Sequence, residues 1–178
     1  MTAQGFAVFP TAIGHCGIAW SERGVVSVRL PDGSAGLTRA RLLANFPGAT
    51  ETEPPEHVQQ AIAEIVALLH GESRDLAEIR LDLNGVPDFH RRVYEVARAI
   101  LPGKTLTYGD VANLLGMPGS AQAVGQALGR NPFPIVVPCH RVLGANGRMV
   151  GFSAPGGVET KRRMLVIEGA QPDEPTLF

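Results

Sequence analysis

The residues best able to carry chemistry are Cys139 and His140, adjacent in the segment NPFPIVVPCHRV. A thiolate is the reactive form of cysteine, and a neighbouring histidine can take the thiol proton, directly or through a water molecule. Adjacent side chains on an extended strand point in opposite directions, so direct contact between these two requires a turn. A lone Cys-His pair is weak evidence, because a free cysteine more often packs as a small buried residue.

The surrounding sequence makes this motif far more specific. The segment PCHRV, preceded by NPFPIVV and followed by GANGRMVGFSAPGGVETKRRML, resembles the active-site region of the DNA alkylguanine alkyltransferases, the methylated-DNA–protein-cysteine methyltransferases. The resemblance extends back through AQAVGQALGRNP and TLTYGDVANLLG to about Pro87. The first 86 residues share only a general character with the family, for instance in HCGIAW and LDLNG.

The resemblance implies a DNA repair protein that alkylates itself once. Cys139 would attack the alkyl carbon on guanine O6 and keep the group as a thioether. His140 would take the thiol proton through a water molecule, and Glu168 would hold the histidine in one tautomer. Tyr108 would donate to the guanine ring as the base leaves. Asn131 would fix the turn that leads to the active-site strand, although an Asn-Pro turn is also ordinary structure.

The resemblance also implies which residues contact substrate and DNA. The carbonyls of Cys139 and Val142 would accept from the amino group of the base, and Ser153 would bind its alkylated oxygen. A helix with small side chains can enter the minor groove while the damaged base is flipped into a pocket. Family members usually carry an arginine where this chain has Gln122, which predicts weaker base flipping here. The full set expected to bind substrate or DNA is Ala121, Gln122, Gly125, Arg130, Arg141, Val142 and Ser153.

The first half of the chain is predicted to consist of strands and amphipathic helices. Short apolar runs broken by glycine and proline turns predict strands at Gly5–Phe9, Gly17–Trp20, Gly24–Leu30 and Ile79–Leu83. Helical spacing of apolar residues predicts helices at Leu37–Phe46 and Glu56–His70. The turn residues Asn84–Pro87 are the best candidate linker to the second half.

The second half is predicted to be helical. We expect Asp88 to cap a helix that runs through Ile100. Thr107 and Asp110 form a capping-box pattern before a helix at Tyr108–Leu115, and Ser120 can cap a second helix at Ala121–Leu128. The two helices and the glycine-containing turn between them are typical of a helix-turn-helix. The small residues of the second helix suit either close approach to another surface or packing against the first helix.

These elements predict an α+β fold, with an N-terminal antiparallel sheet with helices and a C-terminal helical domain containing the helix-turn-helix. The expected divisions are a structural domain at 1–84, a DNA-binding and alkyl-transfer domain at 85–170, and a tail at 171–178. Residues 87–170 carry 10 Lys and Arg against 5 Asp and Glu, whereas residues 1–86 carry 6 against 10. A basic half is compatible with binding to phosphates.

Composition narrows the possible functions further. Two cysteines in 178 residues exclude a disulfide framework and a four-cysteine zinc site. His15 and Cys16 are adjacent but lack further ligands at suitable spacing, so we expect no metal and no cofactor. No signal peptide is evident, and no apolar run approaches the ~18 residues typical of a membrane span. We therefore expect a cytoplasmic monomer whose partner is alkylated double-stranded DNA and not a membrane.

The sequence disfavours three other functions. A non-repairing alkylguanine-lesion-binding protein would share the resemblance, but relatives of that kind replace the cysteine that this chain retains. A helix-turn-helix regulator needs a basic recognition helix with long side chains for the major groove, and Ala121–Leu128 is the opposite. A cysteine hydrolase is disfavoured because no clear oxyanion motif is present.

Overall fold

The protein has the α+β fold that the sequence predicts. The structure, a computed structural model, describes residues 2–149 and 157–170. Its strands are β1 (Gly5–Thr11), β2 (Gly14–Ser21), β3 (Gly24–Arg29), β4 (Thr50–Glu51), β5 (Leu106–Thr107) and β6 (Val142–Leu143). Its α-helices are α1 (Ala35–Asn45), α2 (Glu56–Leu69), α3 (Asp88–Arg98), α4 (Tyr108–Leu114), α5 (Ala121–Gly129) and α6 (Gly157–Ile167).

The N-terminal sheet is an antiparallel meander with one short parallel edge. The strand order is β3-β2-β1-β4, in which β1, β2 and β3 pair antiparallel and β4 adds two residues parallel to β1. The β1–β2 turn closes between Thr11 and Gly14, and Gly14 has a φ of 123°, a conformation that favours glycine. The apolar face of α2 packs at this sheet through buried Val58, Ile65 and Leu68.

The strand predicted at Ile79–Leu83 is wrong. Within that segment Leu81 makes a single bridge to Val25, and the preceding residues Leu76–Glu78 form a short 3₁₀ helix. The guanidinium of Arg98 donates to the carbonyls of Leu76, Ala77 and Ile79 at 2.9–3.2 Å. Of these carbonyls only that of Ile79 belongs to the predicted strand, and the segment pairs with β3 through the hydrogen bonds of Arg80 and Asp82 to Val25, which form a bridge rather than a strand ladder.

The helices of the second half begin and end close to their predicted bounds. Of the three predicted caps, that of α4 is confirmed, that of α5 is at the predicted residue Ser120 but without a side-chain hydrogen bond, and that of α3 is wrong. The capping box of α4 is confirmed, since Thr107 Oγ1 accepts from Asp110 N and Asp110 accepts from Thr107 N. The N-cap of α3 is Pro87, so Asp88 is the first helical residue. The positive end of the helix dipole stabilises its carboxylate there. Ser120 makes no side-chain cap, because its hydroxyl donates to the Met117 carbonyl at 2.7 Å.

One hydrophobic core joins the two halves of the described chain. Phe9, Trp20 and Val28 from the sheet belong to the same buried cluster as Phe133 and Met164. In addition, Val28 N donates to the carbonyl of Pro132 at 2.9 Å, which ties β3 to the segment before Cys139. The division at residues 84 and 85 stays a prediction, and the tail at 171–178 lies outside the described residues.

No helix within residues 2–149 and 157–170 combines the length and the apolar character needed to cross a membrane.

Candidate active site

The segment that leads to Cys139 is a buried, irregular turn, and the active-site strand expected there is not formed. Ile135 has a φ of 77°, which is strained for a β-branched residue. The side chain of Asn131 spans the turn, because its Nδ2 donates to the Val137 carbonyl at 2.9 Å and its Oδ1 accepts from Phe133 N at 2.8 Å. Asn131 therefore has the turn-fixing position that the resemblance implies.

Cys139 begins a short 3₁₀ helix, Cys139–Arg141, so the turn required between the cysteine and the histidine is present. Cys139 is partly exposed, whereas Cys16 is fully buried within the sheet. Burial raises the pKa of the Cys16 thiol to about 12, despite an opposing hydrogen bond from Thr11. Of the two cysteines, Cys139 is the one placed to react.

His140 is oriented by Glu168, which follows the last residue of α6. His140 Nε2 lies 2.9 Å from Glu168 Oε2, and both side chains are buried. Burial opposes ionisation of Glu168, but hydrogen bonds from Arg141 and His140 outweigh it and lower its pKa to about 2. Burial also lowers the pKa of His140, more than Glu168 raises it, so the imidazole is neutral.

This ionisation state assigns the histidine tautomer. An ionised Glu168 can only accept, so the neutral imidazole donates its Nε2–H to the carboxylate. The lone pair is then on Nδ1, which is buried and has no hydrogen-bond partner among the described residues. Nδ1 can therefore accept a proton, and the carboxylate would stabilise the imidazolium that results.

Arg141 has a structural position that does not support the contact with DNA expected for it. Its side chain is 6% exposed, and its Nε and Nη2 donate to the two carboxylate oxygens of Glu168 at 2.8 Å. A third nitrogen donates to the carbonyl of Ile100 at 2.7 Å. Because its hydrogen bonds go to buried groups, we replace the expected DNA-binding role by one of holding Glu168 in place.

Tyr108 reaches the site through a small parallel sheet. The pairs Leu106–Val142 and Thr107–Leu143 join β5 to β6, and the ring of Tyr108, which follows β5, lies 5.9 Å from the Lys161 Nζ that donates to the Val142 carbonyl. Burial raises the pKa of the half-buried Tyr108 phenol, and a charge on Cys139 would raise it further. The phenol is consequently protonated at neutral pH and is able to act as a proton donor.

Lys161 is a buried cation at this site that the sequence reasoning missed. Its Nζ donates to the Val142 carbonyl at 2.8 Å and lies 5.9 Å from the centre of the Tyr108 ring. Burial raises the pKa of the Cys139 thiol, while Asn131, the Lys161 charge and two backbone amides act in the opposite direction. Its spacing in the sequence could have indicated that it is buried, since Lys161 shares a helical face with buried Met164 and Leu165.

The sequence left open whether the small residues of α5 pack against α4 or allow close approach to another surface. The structure shows some of them packed and others exposed. Gly125 faces the Tyr108 ring, and a Cβ built there would lie 3.9 Å from two ring carbons. Ala127 is buried, and its carbonyl accepts from the Tyr94 hydroxyl at 2.7 Å. Ala123 and Gln122, by contrast, are exposed.

The other residues predicted to bind substrate or DNA differ in their exposure and partners. Ala121 is half-exposed at the start of α5, and Arg130 is exposed at its C-terminal cap. The carbonyl of Val142 already accepts from Lys161, so it would have to serve both Lys161 and the base. Ser153 lies outside the described residues.

Comparison with known proteins identifies the family. Residues 88–170 match the family model described as 6-O-methylguanine DNA methyltransferase, DNA binding domain. A methylated-DNA–protein-cysteine methyltransferase of Mycobacterium tuberculosis is 40% identical over 146 residues, covering 80% of this chain and 86% of the relative. The chain belongs to the methylated-DNA–protein-cysteine methyltransferase family.

Solved structures of methyltransferases extend the match to most of the chain. A crystal structure of Mycobacterium tuberculosis O6-methylguanine methyltransferase superposes with a TM-score of 0.72 and 31% identity over 96% of each chain. The Mycobacterium tuberculosis enzyme in complex with DNA gives a TM-score of 0.69 and 30% identity, covering 93% of this chain and 92% of that one. The methyltransferase family, enzyme class and fold that the sequence predicts are confirmed.

Proposed function

We propose that this protein repairs DNA by moving an alkyl group from guanine O6 irreversibly to its own Cys139, once per molecule. The observation that carries the proposal is the buried Nδ1 of His140, an oriented base within the same helical turn as a partly exposed thiol. Glu168, held by Arg141, keeps that base in the required tautomer.

The proposed transfer consists of proton removal from the thiol, displacement at the alkyl carbon and proton donation to the guanine. His140 Nδ1 takes the thiol proton, directly or through a water molecule, and becomes an imidazolium paired with Glu168. The sulfur forms a bond to the alkyl carbon while the bond from that carbon to O6 breaks, and its electron pair goes to the guanine. Tyr108 donates its phenolic proton to the ring as negative charge develops there. The thioether is not hydrolysed, so the protein is not regenerated.

We propose that the partner is alkylated double-stranded DNA, contacted in the minor groove with the damaged base flipped out. The small side chains of Ala121 and Ala123 at the surface of α5 support this, because larger ones at these positions would not fit the narrow groove, and Gln122 and Arg130 are exposed near them to contact DNA. Gly125, against Tyr108, would border the pocket for the base. The related Mycobacterium tuberculosis structure contains DNA, which is consistent with the proposal.

We further propose that the protein acts as a monomer in the cytoplasm. Every side chain of the site comes from one chain, so a second copy is not needed for the transfer. A reactive thiol such as that of Cys139 persists in a reducing compartment.

Intact mass spectrometry after incubation with duplex DNA containing methylated guanine tests the function. We expect a gain of one methyl group per molecule, which peptide mapping places on Cys139. Cys139→Ser should show no gain, and Cys16→Ser should gain a methyl group like the wild type, because the Cys16 thiol is fully buried and burial raises its pKa to about 12. Tight binding without any gain in mass would instead support the lesion-binding alternative.

A further inference from the structure

The last turn of α5 is anchored by a tyrosine side chain from another helix. Tyr94 of α3 is 2% exposed, and its hydroxyl donates to the Ala127 carbonyl at 2.7 Å. Ala127 lies in the last turn of α5, where carbonyls lack partners within the helix. The amide of Arg130 lies 3.3 Å from the same carbonyl, so the tyrosine supplies the shorter hydrogen bond. Neither the transfer reaction nor the DNA contacts described above give Tyr94 a task.

This anchor lies where the proposed DNA-binding helix passes into the turn that leads to Cys139. Two residues after α5 ends, the side chain of Asn131 spans that turn. Burial raises the pKa of the Tyr94 phenol to about 12, a charge on Cys139 would raise it further, and Arg130 lowers it. The phenol therefore keeps its proton at neutral pH, and it is near groups on both sides of the junction, Arg130 at the end of α5 and Cys139 in the turn.

A hydrogen bond fixes this end of α5 more closely than packing does. The helix has nine residues, and isolated helices shorter than about 12 residues are marginal in water. Its buried residues are Val124, Ala127 and Leu128. Apolar contacts are non-directional, whereas a hydrogen bond weakens steeply when its distance or angle changes. The Tyr94 hydroxyl therefore sets the position of the helix end.

We propose that Tyr94 is a positioning residue for the reaction with duplex DNA, whose hydroxyl holds α5 at a fixed distance from the turn that carries Cys139. The inference deepens the proposed function and rests on it for the role of α5 in the minor groove. A flipped base reaches Cys139 only if the helix in the groove and the thiol are correctly spaced, and a misplacement of about 1 Å can greatly slow a reaction. A free alkylated guanine enters the site without docking of α5 on a duplex, so its reaction depends less on this spacing.

The test compares Tyr94→Phe with Tyr108→Phe, a matched control because the chain has two tyrosines and each change removes one hydroxyl. Single-turnover transfer is measured from duplex DNA containing alkylated guanine and from the same alkylated guanine as a free base. We expect the ratio of the duplex rate to the free-base rate to fall about tenfold in Tyr94→Phe, because one directional hydrogen bond is lost. In Tyr108→Phe the ratio should stay within about twofold of the wild type, since that phenol is proposed to donate to the leaving base of either substrate.

The ratio separates positioning from a loss of folded protein. A variant that is merely less stable contains fewer active molecules, which lowers both rates by the same factor and leaves their ratio unchanged. Tyr94→Leu removes the ring as well as the hydroxyl and should give a ratio at least as low as that of Tyr94→Phe. An unchanged ratio in Tyr94→Phe would overturn the proposal. A fall confined to Tyr94→Leu would overturn it too, because packing of the ring would then account for the effect.

A measurement on the wild type covers the case in which the variants do not fold. A hydroxyl proton that is buried and hydrogen-bonded exchanges slowly with solvent, and NMR detects it. We expect such a protected proton on Tyr94, assigned by its proximity to Ala127. Rapid exchange of that proton would refute the anchor.

The outcome is distinguishable from failure of the proposed function. If the wild type transfers no alkyl group from either substrate, the proposed function fails, and affinity for unmodified duplex DNA then tests the anchor. That affinity should be about tenfold lower in Tyr94→Phe than in the wild type, and equal affinities would refute the anchor. If transfer proceeds and the ratio in Tyr94→Phe equals that of the wild type, the further inference alone fails.

Discussion

At the scale of single residues, the site depends on which groups are charged. Glu168 is ionised although it is buried, because Arg141 and His140 donate three hydrogen bonds to it. His140 is neutral beside it and therefore available as a base. The neutral base, its ionised partner and the protonated Tyr108 together make proton transfer possible at neutral pH.

The acid stability of the protein should depend on Glu168. Its pKa in the folded chain, about 2, is below the ordinary value of 4.5, so its stabilisation is present above about pH 4.5 and is lost as pH falls towards 2. Over that window we expect the wild type to lose about 3 kcal/mol more unfolding free energy than Glu168→Gln. Denaturant unfolding from pH 5 to pH 2 measures this. Glu159→Gln, exposed in the first turn of α6, should follow the wild type, and parallel curves for all three proteins would refute the prediction.

Tyr108→Phe should slow alkyl transfer and leave DNA affinity largely unchanged. The phenol is proposed to act only as negative charge develops on the leaving base, so its loss affects the transition state more than binding. General acid catalysis by a positioned side chain contributes about 10²-fold or more, which sets the expected decrease in single-turnover rate. Equilibrium DNA binding provides the control, and a large loss of affinity with an unchanged rate would contradict the assignment.

At the scale of elements, α5 combines a packed side with an exposed one. Tyr94 anchors the packed side from α3, and the interior glycine of the helix, Gly125, leaves room beside Tyr108. The pairing of β5 with β6 and the turn braced by Asn131 then bring Tyr108 and Cys139 into one site. Short elements position these groups because each is tied by hydrogen bonds to a partner distant in sequence.

Gly125→Ala should raise the stability of the protein by about 1 kcal/mol, because glycine is unfavourable inside a helix. The added methyl would meet Tyr108 carbons at 3.9 Å, an ordinary contact distance. Gly17→Ala is the opposite case, since its Cβ would lie 2.6 Å from Leu42 Cδ1 in a packed core. Thermal unfolding should show a rise in the midpoint for the first variant and a fall for the second. A fall for Gly125→Ala would show that α5 packs more tightly than the structure indicates.

At the scale of the whole molecule, the N-terminal sheet supports the site without supplying any of its proposed catalytic groups. The hydrogen bond from Val28 to Pro132 and the shared hydrophobic cluster connect β3 to the turn before Cys139. The exposed side of α5, with Gln122, faces away from this core. The sheet therefore supports the turn before Cys139, and the exposed side of α5 is left to contact the proposed DNA partner.

Gln122→Arg should speed transfer from duplex DNA and leave the reaction with free alkylated guanine unchanged. Arginine can occupy the space of a flipped base and pair with phosphates or base edges, whereas glutamine is shorter and neutral. Since flipping costs a few kcal/mol, we expect about a tenfold gain in single-turnover rate on duplex. The variant should also show a steeper dependence of DNA affinity on salt. Identical rates on duplex would refute the handicap and indicate that another residue, such as Arg130, fills the space.

The sequence by itself determined the family, most elements and the proposed nucleophile. Apolar periodicity located α2, and the local spacing of Thr107 and Asp110 predicted the capping box of α4. These features are local, because each depends on residues within a few positions of one another. The Cys139 motif could be recognised in the same way, as a contiguous run of residues.

Only the tertiary structure decided where the charged groups are buried and which partners they have. Lys161 and Arg141 resemble ordinary surface cations in the sequence, but packing places one against Val142 and the other against Glu168. In the same way, Arg98 takes the carbonyl of Ile79, at which the predicted strand would have begun. The free energy of a buried charge or carbonyl depends on partners brought together by the fold, and local patterns do not encode those partners.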